Sequence, residues 1–257
     1  MKKRSPSILF IAIFMFAFAI HGYADPVTEG TAKTKNNQET VTVKESVEEG
    51  FKKNFPNIKF DAINPTDIKG IYEVVVGTKI GYFAPETGYL IVGEIRDKSG
   101  ANLTANRRNE IIASKAKSLP LDKAIKIGSG PSTVIEFTDP DCPFCRKAST
   151  FLNQKTDATR YIFFVPLPNH PDAENKARFV FCATDRAKAY EEAMTGKLDD
   201  KKYETCKKPE VEGLLKAHKG LANKMGISST PFFIANGKAI PGADIPKLEE
   251  ALKQDGK

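Results

Sequence analysis

Two cysteines separated by two residues, Cys142 and Cys145, are the part of this sequence best suited to chemistry. They follow an apolar, strand-like segment at 133–137 and a short acidic loop, and Pro143 stands directly after the first of them. Proline is favoured at the first helical position, so Cys142 is predicted at the helix N-cap. The free N–H groups and the helix dipole there stabilise a thiolate, which is the nucleophilic form of cysteine. A strand, a CxxC pair and a helix in this order are typical of a thioredoxin-like redox site.

A CxxC pair can also be half of a structural zinc site, or an inert disulfide. A zinc site needs a second pair at similar spacing, whereas the other cysteines, Cys182 and Cys206, stand far apart. Redox chemistry is therefore favoured, and neither a metal nor another cofactor is predicted. In an oxidising compartment, Cys182 and Cys206 are expected to form a second, structural disulfide. A resolving or shuttling role for that pair is the alternative.

The N-terminus indicates the compartment. Basic residues at 2–4 precede an apolar run at 8–20 and a small-residue cleavage signal that ends at Ala24. The run is shorter than the about 20 residues that span a bilayer, so residues 1–24 are predicted to be a signal peptide, cleaved after Ala24. An uncleaved anchor is the alternative. The formal net charge is +7, part of it in this signal, and the remaining sequence shows no basic stripe of the kind that binds nucleic acid.

The first half of the exported chain predicts a small α+β domain over residues 41–102. Residues 25–40 are polar, have no apolar period, and are predicted to be a disordered leader. Apolar residues then recur every four positions, which predicts a helix at 41–55. Because so small a core is marginal alone, we expect it to be completed by a second copy of the chain, with a monomeric domain as the alternative. Three strands are predicted in this domain, at 71–76, 80–84 and 89–95.

A mostly polar helix at 103–120, capped by Thr104 and ended by Pro120, is predicted to link this domain to a second one at 121–257. After a possible edge strand, the second domain has the order β, CxxC, α, β, helical insertion, β, β, α. That order predicts a thioredoxin-like α/β domain with an inserted helical block. Its predicted strands lie at 124–127, 133–137, 161–165, 232–235 and 238–240, its helices at 142–154 and 245–254, and its helical insertion within 173–225.

Two further positions are candidates for the redox site. Thr230 and Pro231 precede an apolar strand, where thioredoxin-like folds place a cis-proline beside the sulfurs. They are expected to present the Thr230 backbone to an extended substrate peptide, and a trans proline that opens a strand is the alternative. Glu136, with apolar neighbours on both sides, is predicted to be buried and to take the proton of Cys145. A Glu136 that faces solvent on an edge strand is the alternative.

Other side chains near the pair have weaker signals. Phe144, in the CxxC loop, is predicted to be exposed and to contact partners. Asp139 and Asp141 are expected to cap the helix or to contact its first amides. His170 and His218 lack the spacing of metal ligands and are predicted to be structural or solvated.

The sequence resembles a known family at three places: Phe137-Thr138-Asp139 before the CxxC pair, the Cys182 and Cys206 pair, and the segment 226–231 that ends in Thr230-Pro231. These are similar to the bacterial periplasmic thiol:disulfide isomerases of the DsbC/DsbG type. The resemblance implies a V-shaped homodimer joined through the N-terminal domains and a periplasmic location. It also implies misfolded, disulfide-containing client proteins and a membrane reductant of the DsbD type.

This sequence departs from the isomerase family at two places, and both bear on the direction of electron flow. Pro143-Phe144 replaces the Gly-Tyr that is common in isomerases and resembles the oxidase DsbA. Glu136 likewise resembles the buried acid of the oxidase and of thioredoxin. The residues between the cysteines and the local charges set the redox poise. An oxidase that donates disulfides is therefore an alternative to the isomerase or reductase, and so are a holdase chaperone with secondary redox activity and a metal-carrying dithiol.

Overall fold

The computed structural model describes the backbone of residues 31–253 and the side chains of residues 43–253. The chain divides into two compact units, Met1–Val43 and Lys44–Lys257. The described part of the first unit is the beginning of helix α1, and all the other elements belong to the second. Among the described helices, none combines the length and the apolar character that a membrane span requires.

Helix α1 begins earlier than the sequence predicts. It spans Thr31–Asn54, so the expectation of disorder is wrong for residues 31–40. Once the amphipathic part of a helix has formed, each added residue gains a hydrogen bond without a new nucleation cost, and the helix extends into polar sequence. The predicted signal peptide and the first residues of the predicted leader lie outside the described residues.

An antiparallel sheet of four strands packs against the second half of α1. The strand order is β1-β2-β3-β4. Phe51 of α1 is fully buried at the centre of the core, with the ring of Phe83 edge-on at 5.2 Å. Gly77, at φ +67°, lies in the turn between β2 and β3, where a left-handed conformation suits glycine. The four strands are Ala62–Pro65, Tyr72–Val76, Lys79–Ala84 and Tyr89–Ile91.

The linker helix α2 spans Leu103–Ser114 and continues as a 3₁₀ turn at Lys115–Ser118. Its cap is Asn102, whose side-chain oxygen accepts a hydrogen bond from the amide of Ala105. The prediction of Thr104 as the cap is therefore wrong. The Thr104 hydroxyl is buried instead, hydrogen-bonded to the Tyr82 hydroxyl and to the amide of Ile95.

The rest of the chain forms a five-stranded mixed sheet in the order β5-β7-β6-β8-β9, with helices on both faces. Strands β6 and β7 are parallel, and the other neighbours are antiparallel. The predicted fold class, a small α+β domain followed by a thioredoxin-like domain with a helical insertion, is confirmed. The elements are β5 (Ile125–Ile127), β6 (Ser132–Thr138), α3 (Pro143–Leu152), β7 (Ala158–Phe164), α4 (Ala173–Cys182), α5 (Arg186–Met194), α6 (Pro209–Met225), β8 (Phe232–Ala235), β9 (Lys238–Pro241) and α7 (Ile245–Lys253).

Candidate active site

The two cysteines lie where the central strand β6 passes into helix α3. Cys142 is the N-cap of α3, with extended backbone, and Pro143 is the first helical residue, as the sequence predicts. Both cysteines are free thiols. Cys142 exposes 4% of its surface and Cys145 none, while Phe144 between them is 63% exposed. The outer sulfur therefore belongs to Cys142, and a bulky aromatic ring stands beside it at the surface.

The Thr230–Pro231 segment lies against the outer sulfur. The thiol of Cys142 donates to the carbonyl oxygen of Thr230 at 3.6 Å. The Thr230–Pro231 peptide bond is cis, and the Pro231 carbonyl accepts from the amide of Gly242. The structure thus brings together the CxxC pair and the proline segment, which are 88 residues apart in sequence.

The sulfur of Cys145, the inner of the two sulfurs, has three potential hydrogen-bond donors around it. The amide of Asp139 donates to the sulfur of Cys145 at 3.4 Å. Burial raises the pKa of the Cys145 thiol strongly, and the hydroxyls of Thr230 and Thr138 and the Asp139 amide act in the opposite direction. Thr138 had no role in the sequence prediction. Cys145 therefore favours the thiol form, but it lies among groups that stabilise a thiolate.

Glu136 is buried, as predicted, but its partners are not the cysteines. Its carboxylate accepts from Arg160 at 2.8 Å and from the Tyr190 hydroxyl at 2.6 Å. The principal groups that shift the pKa of Cys145 do not include Glu136. Glu136 therefore lies in a structural ion pair in the core, and its role in proton transfer from Cys145 stays a prediction. Arg160 was missed because it lies on the neighbouring strand β7.

Asp139 and Asp141 do not cap helix α3, contrary to prediction. The fully buried carboxylate of Asp139 accepts from the amides of Asp141 and Leu167, both at 2.7 Å, and from the Nδ1 of His170 at 2.9 Å. A carboxylate accepts in all three bonds, so His170 carries its hydrogen on Nδ1. These bonds hold the loop before Cys142 against the segment that follows β7.

A second cluster of charges ties the CxxC helix to the helical insertion. Arg146, one residue after the CxxC pair, donates to the carbonyl of Pro140 and makes two bonds to the Asp199 carboxylate. The buried amine of Lys176 on α4 bonds both Asp141 and Asp199. Sequence reasoning missed this cluster, because its members look like ordinary surface charges when they are read along the chain.

The remaining singled-out residues are structural, as the sequence suggested. His218 is buried, accepts from the amide of Phe164 at Nδ1, and is bonded through Nε2 to the carbonyl of Lys123, so its ring is neutral. Cys182 and Cys206 form a disulfide with a Cα–Cα distance of 5.8 Å, which joins the end of α4 to the segment before α6. In the described residues, no group of three or more His, Cys, Asp or Glu is placed to hold a metal ion.

Comparisons with known proteins agree with this geometry. Residues 31–105 match the family model of the disulfide bond isomerase protein N-terminal domain, and residues 120–254 match that of the thioredoxin-like domain. The chain belongs to the DsbC family of thiol:disulfide interchange proteins. A relative from Bordetella avium, a probable thiol:disulfide interchange protein DsbC, is 29% identical over 90% of this chain and 83% of its own length.

Other relatives of this DsbC-family chain are more distant in sequence or match a smaller part of it. The thiol:disulfide interchange protein DsbC of Escherichia coli is 25% identical, over 78% of this chain and 84% of the relative. The crystal structure of a disulfide interchange protein from Neisseria gonorrhoeae is 33% identical, with a TM-score of 0.46, over 54% of this chain and 99% of the other. The family models and the DsbC relatives show that this chain is a thiol–disulfide oxidoreductase with a thioredoxin-like domain.

Proposed function

We propose that this protein rearranges and reduces non-native disulfides in exported proteins, with Cys142 as the attacking and Cys145 as the resolving residue. The observation that carries the assignment is the graded burial of the two cysteines at the start of α3. Cys142 keeps 4% of its surface exposed and is the N-cap of α3, whereas Cys145, in the first turn of that helix, is fully buried.

The chemistry has two branches. The Cys142 thiolate attacks a client disulfide, forms a mixed disulfide, and releases one client sulfur as a thiolate. In isomerisation, a client thiolate then attacks the mixed disulfide and restores Cys142. In reduction, Cys145 attacks it, the client leaves reduced, and the Cys142–Cys145 pair is left oxidised. A dithiol reductant, for which the DsbD type is the proposal, must then return the pair to the reduced state.

The surface around Cys142 suits an extended client. Phe144 offers an exposed aromatic ring, and Pro143 beside it is exposed as well. Thr230 borders the sulfur of Cys142 through its carbonyl oxygen, and we assign its backbone, next to Pro231, to strand-like pairing with the client. We assign these four residues to client binding and to the tuning of the pair.

The assembly proposed is a periplasmic homodimer that encloses clients between its two copies. The match of residues 31–105 to an isomerase N-terminal domain supports dimerisation through that domain. Such a dimer would hold unfolded chains against apolar surface, so chaperone-like binding would accompany the redox activity.

The test is the redox state of the Cys142–Cys145 pair in cells, measured by thiol trapping. A mostly reduced pair is expected, whereas a mostly oxidised pair would instead indicate the oxidase DsbA type of activity. Two variants separate the roles of the sulfurs. C142A is expected to abolish rescue of scrambled multi-disulfide clients, and C145A to accumulate mixed disulfides. If C142A rescues such clients as well as the wild type does, the protein is a holdase chaperone.

A further inference from the structure

Two buried hydroxyls beside the inner sulfur lack a partner. Within the described residues, three buried side-chain atoms have no hydrogen-bond partner, and two of them are the hydroxyl oxygens of Thr138 and Thr230. Leaving a buried hydroxyl unpaired costs free energy, and buried polar groups are normally paired. Two such hydroxyls at one sulfur therefore indicate a site that is complete only in another chemical state.

Thr138 is placed by the strand that leads into the site. It is the last residue of β6 and shares a face of the sheet with Val134, which packs against Ala148 and Leu152 of α3. Its side chain is thus beneath the first turn of α3, where Cys145 lies, and its hydroxyl acts to lower the pKa of that thiol. The amide of the next residue, Asp139, already donates to the same sulfur.

The state that would satisfy these groups is a thiolate. A neutral thiol is a weak acceptor, whereas an anionic sulfur accepts strongly from hydroxyl and amide donors. Donors that are placed before the charge develops stabilise the charged state without a cost of reorganisation. Because the carboxylate of Asp139 is anchored by His170 and two amides, the Asp139 N–H is held in place as well.

We propose that Thr138 is a catalytic residue of the resolving step, its hydroxyl donating, together with the Asp139 amide and the Thr230 hydroxyl, to the thiolate of Cys145. This inference rests on the proposed function, in which Cys145 resolves the mixed disulfide.

Cys145 loses its proton to solvent, and its thiolate attacks the sulfur of Cys142 in the mixed disulfide. The Cys142–Cys145 bond forms while the bond between Cys142 and the client breaks. The client sulfur leaves with the electron pair and takes up a proton from solvent. The pair is oxidised by two electrons, and the client is reduced by two.

These donors would therefore influence whether the client is reduced or isomerised. Resolution by Cys145 competes with attack by a client thiol on the same mixed disulfide. The three donors act on Cys145 and not on the incoming client sulfur, so they favour reduction over isomerisation. Loss of the Thr138 hydroxyl should shift the products towards isomerised clients and lengthen the life of the mixed disulfide.

The experiment measures the two steps separately with a fluorescent disulfide peptide and acid quenching. T138V keeps the shape of the side chain and removes the hydroxyl, and T138S keeps the hydroxyl. T133V, the same change at the other end of β6, is the matched control. Attack is measured in a C145S background, and resolution from the decay of the mixed disulfide in the protein that retains Cys145.

T138V is expected to slow resolution about ten-fold or more, the usual effect of losing one hydrogen bond to a charged group, and to leave attack by Cys142 within about two-fold. T138S and T133V should resolve at close to the wild-type rate. The inference is overturned if T138V resolves as fast as the wild type, if it slows attack and resolution equally, or if T138S is as slow as T138V. A wild type that forms no mixed disulfide would overturn the proposed function itself.

Discussion

At the scale of single residues, the buried pair Glu136 and Arg160 shows how a charge is accommodated under the active-site helix. Glu136 is fully buried, and Arg160 is nearly so. Taking both charges out of water is costly, and only their attraction and their hydrogen bonds offset that cost. Tyr190 adds a bond to the Glu136 carboxylate, and its ring lies 5.4 Å from the guanidinium of Arg160. Each charge is therefore tolerated only while the other is present.

The first prediction follows from that pairing. E136Q is expected to lower the free energy of unfolding by about 3–5 kcal/mol, because it leaves the Arg160 charge buried without its partner. The double variant E136Q/R160Q should lose less than the two single changes added together, since it removes both charges. Denaturant unfolding measures both quantities, and resolution of the mixed disulfide by Cys145 should proceed at the wild-type rate. Slowed resolution in folded E136Q would contradict a purely structural role and favour proton transfer from Cys145.

Which residues of the site can be read from the sequence depends on how far away their partners lie. The N-cap position of Cys142 was predicted from Pro143, the residue directly after it, and the structure confirms it. The ion pairs do not follow, because their members stand 24 residues apart for Glu136 and Arg160 and 53 for Arg146 and Asp199. Burial of Glu136 was visible in its apolar neighbours, but the pairing of β6 with β7, which supplies its partner, was not.

At the scale of elements, the same reasoning explains which boundaries were predicted. Strand β8 was predicted at its observed bounds because a short apolar run followed by the turn residues Asn236 and Gly237 is a local signal. Strand β4 ends at Ile91 rather than at 95, because the chain beyond it turns to meet the linker, with a bridge between Arg96 and Asn102. That bridge depends on a residue outside the strand, which periodicity does not detect.

The loop between α5 and α6 is joined to the CxxC helix by the carboxylate of Asp199. Arg146 on α3 and Lys176 on α4 both bond it, and these bonds lower the pKa of Asp199 to about 2. Because the folded pKa lies below the ordinary 3.8, this contribution to stability is fully present above that pH and is lost as pH falls from 3.8 towards 2. Asp199 thus connects three elements of the helical insertion and the active site.

The second prediction is that D199N destabilises the protein by about 1–2 kcal/mol, a value reduced for the partial exposure of the carboxylate. The neighbouring exposed Asp200 makes a matched control, because D200N removes the same charge without touching the cluster and asparagine suits its positive φ of 55°. Thermal unfolding at neutral pH measures both variants. Equal losses in D199N and D200N would mean that net charge, rather than the bridge to Arg146 and Lys176, is responsible.

At the scale of the whole molecule, one edge of the four-stranded sheet is relevant to the proposed homodimer. Strand β4 is an edge strand, and apolar side chains on and just after it are exposed: Tyr89 by 69%, Ile91 by 48% and Val92 by 84%. An exposed apolar edge strand is a template for pairing with another chain. This edge is therefore where the proposed homodimer would form.

The third prediction is that V92E shifts the protein from dimer to monomer, because a buried, unpaired carboxylate at the interface is costly. Light scattering after gel filtration measures the mass. I68K, which places a charge at an exposed apolar position in the loop between β1 and β2, neither of which neighbours β4, is the control and should remain dimeric. A V92E protein that elutes as a dimer at low micromolar concentration would place the interface elsewhere.

The fourth prediction concerns the stability of the molecule in acid, which depends on His218. Burial, with a smaller effect of Arg186, lowers the pKa of His218 from 6.5 to about 4. The unfolded chain therefore binds a proton between these values that the folded chain does not. Stability is full above pH 6.5, and it falls as pH drops towards 4 by up to about 1.4 kcal/mol per unit.

The measurement is the free energy of unfolding between pH 4 and 7, for the wild type and for H218Q. H218Q should be less stable at pH 7, because the bonds to the Phe164 amide and the Lys123 carbonyl are disturbed, but its stability should change less with pH in this window. If the stability of H218Q falls with pH as steeply as that of the wild type between pH 7 and 4, the proton that destabilises the fold in acid does not bind at His218.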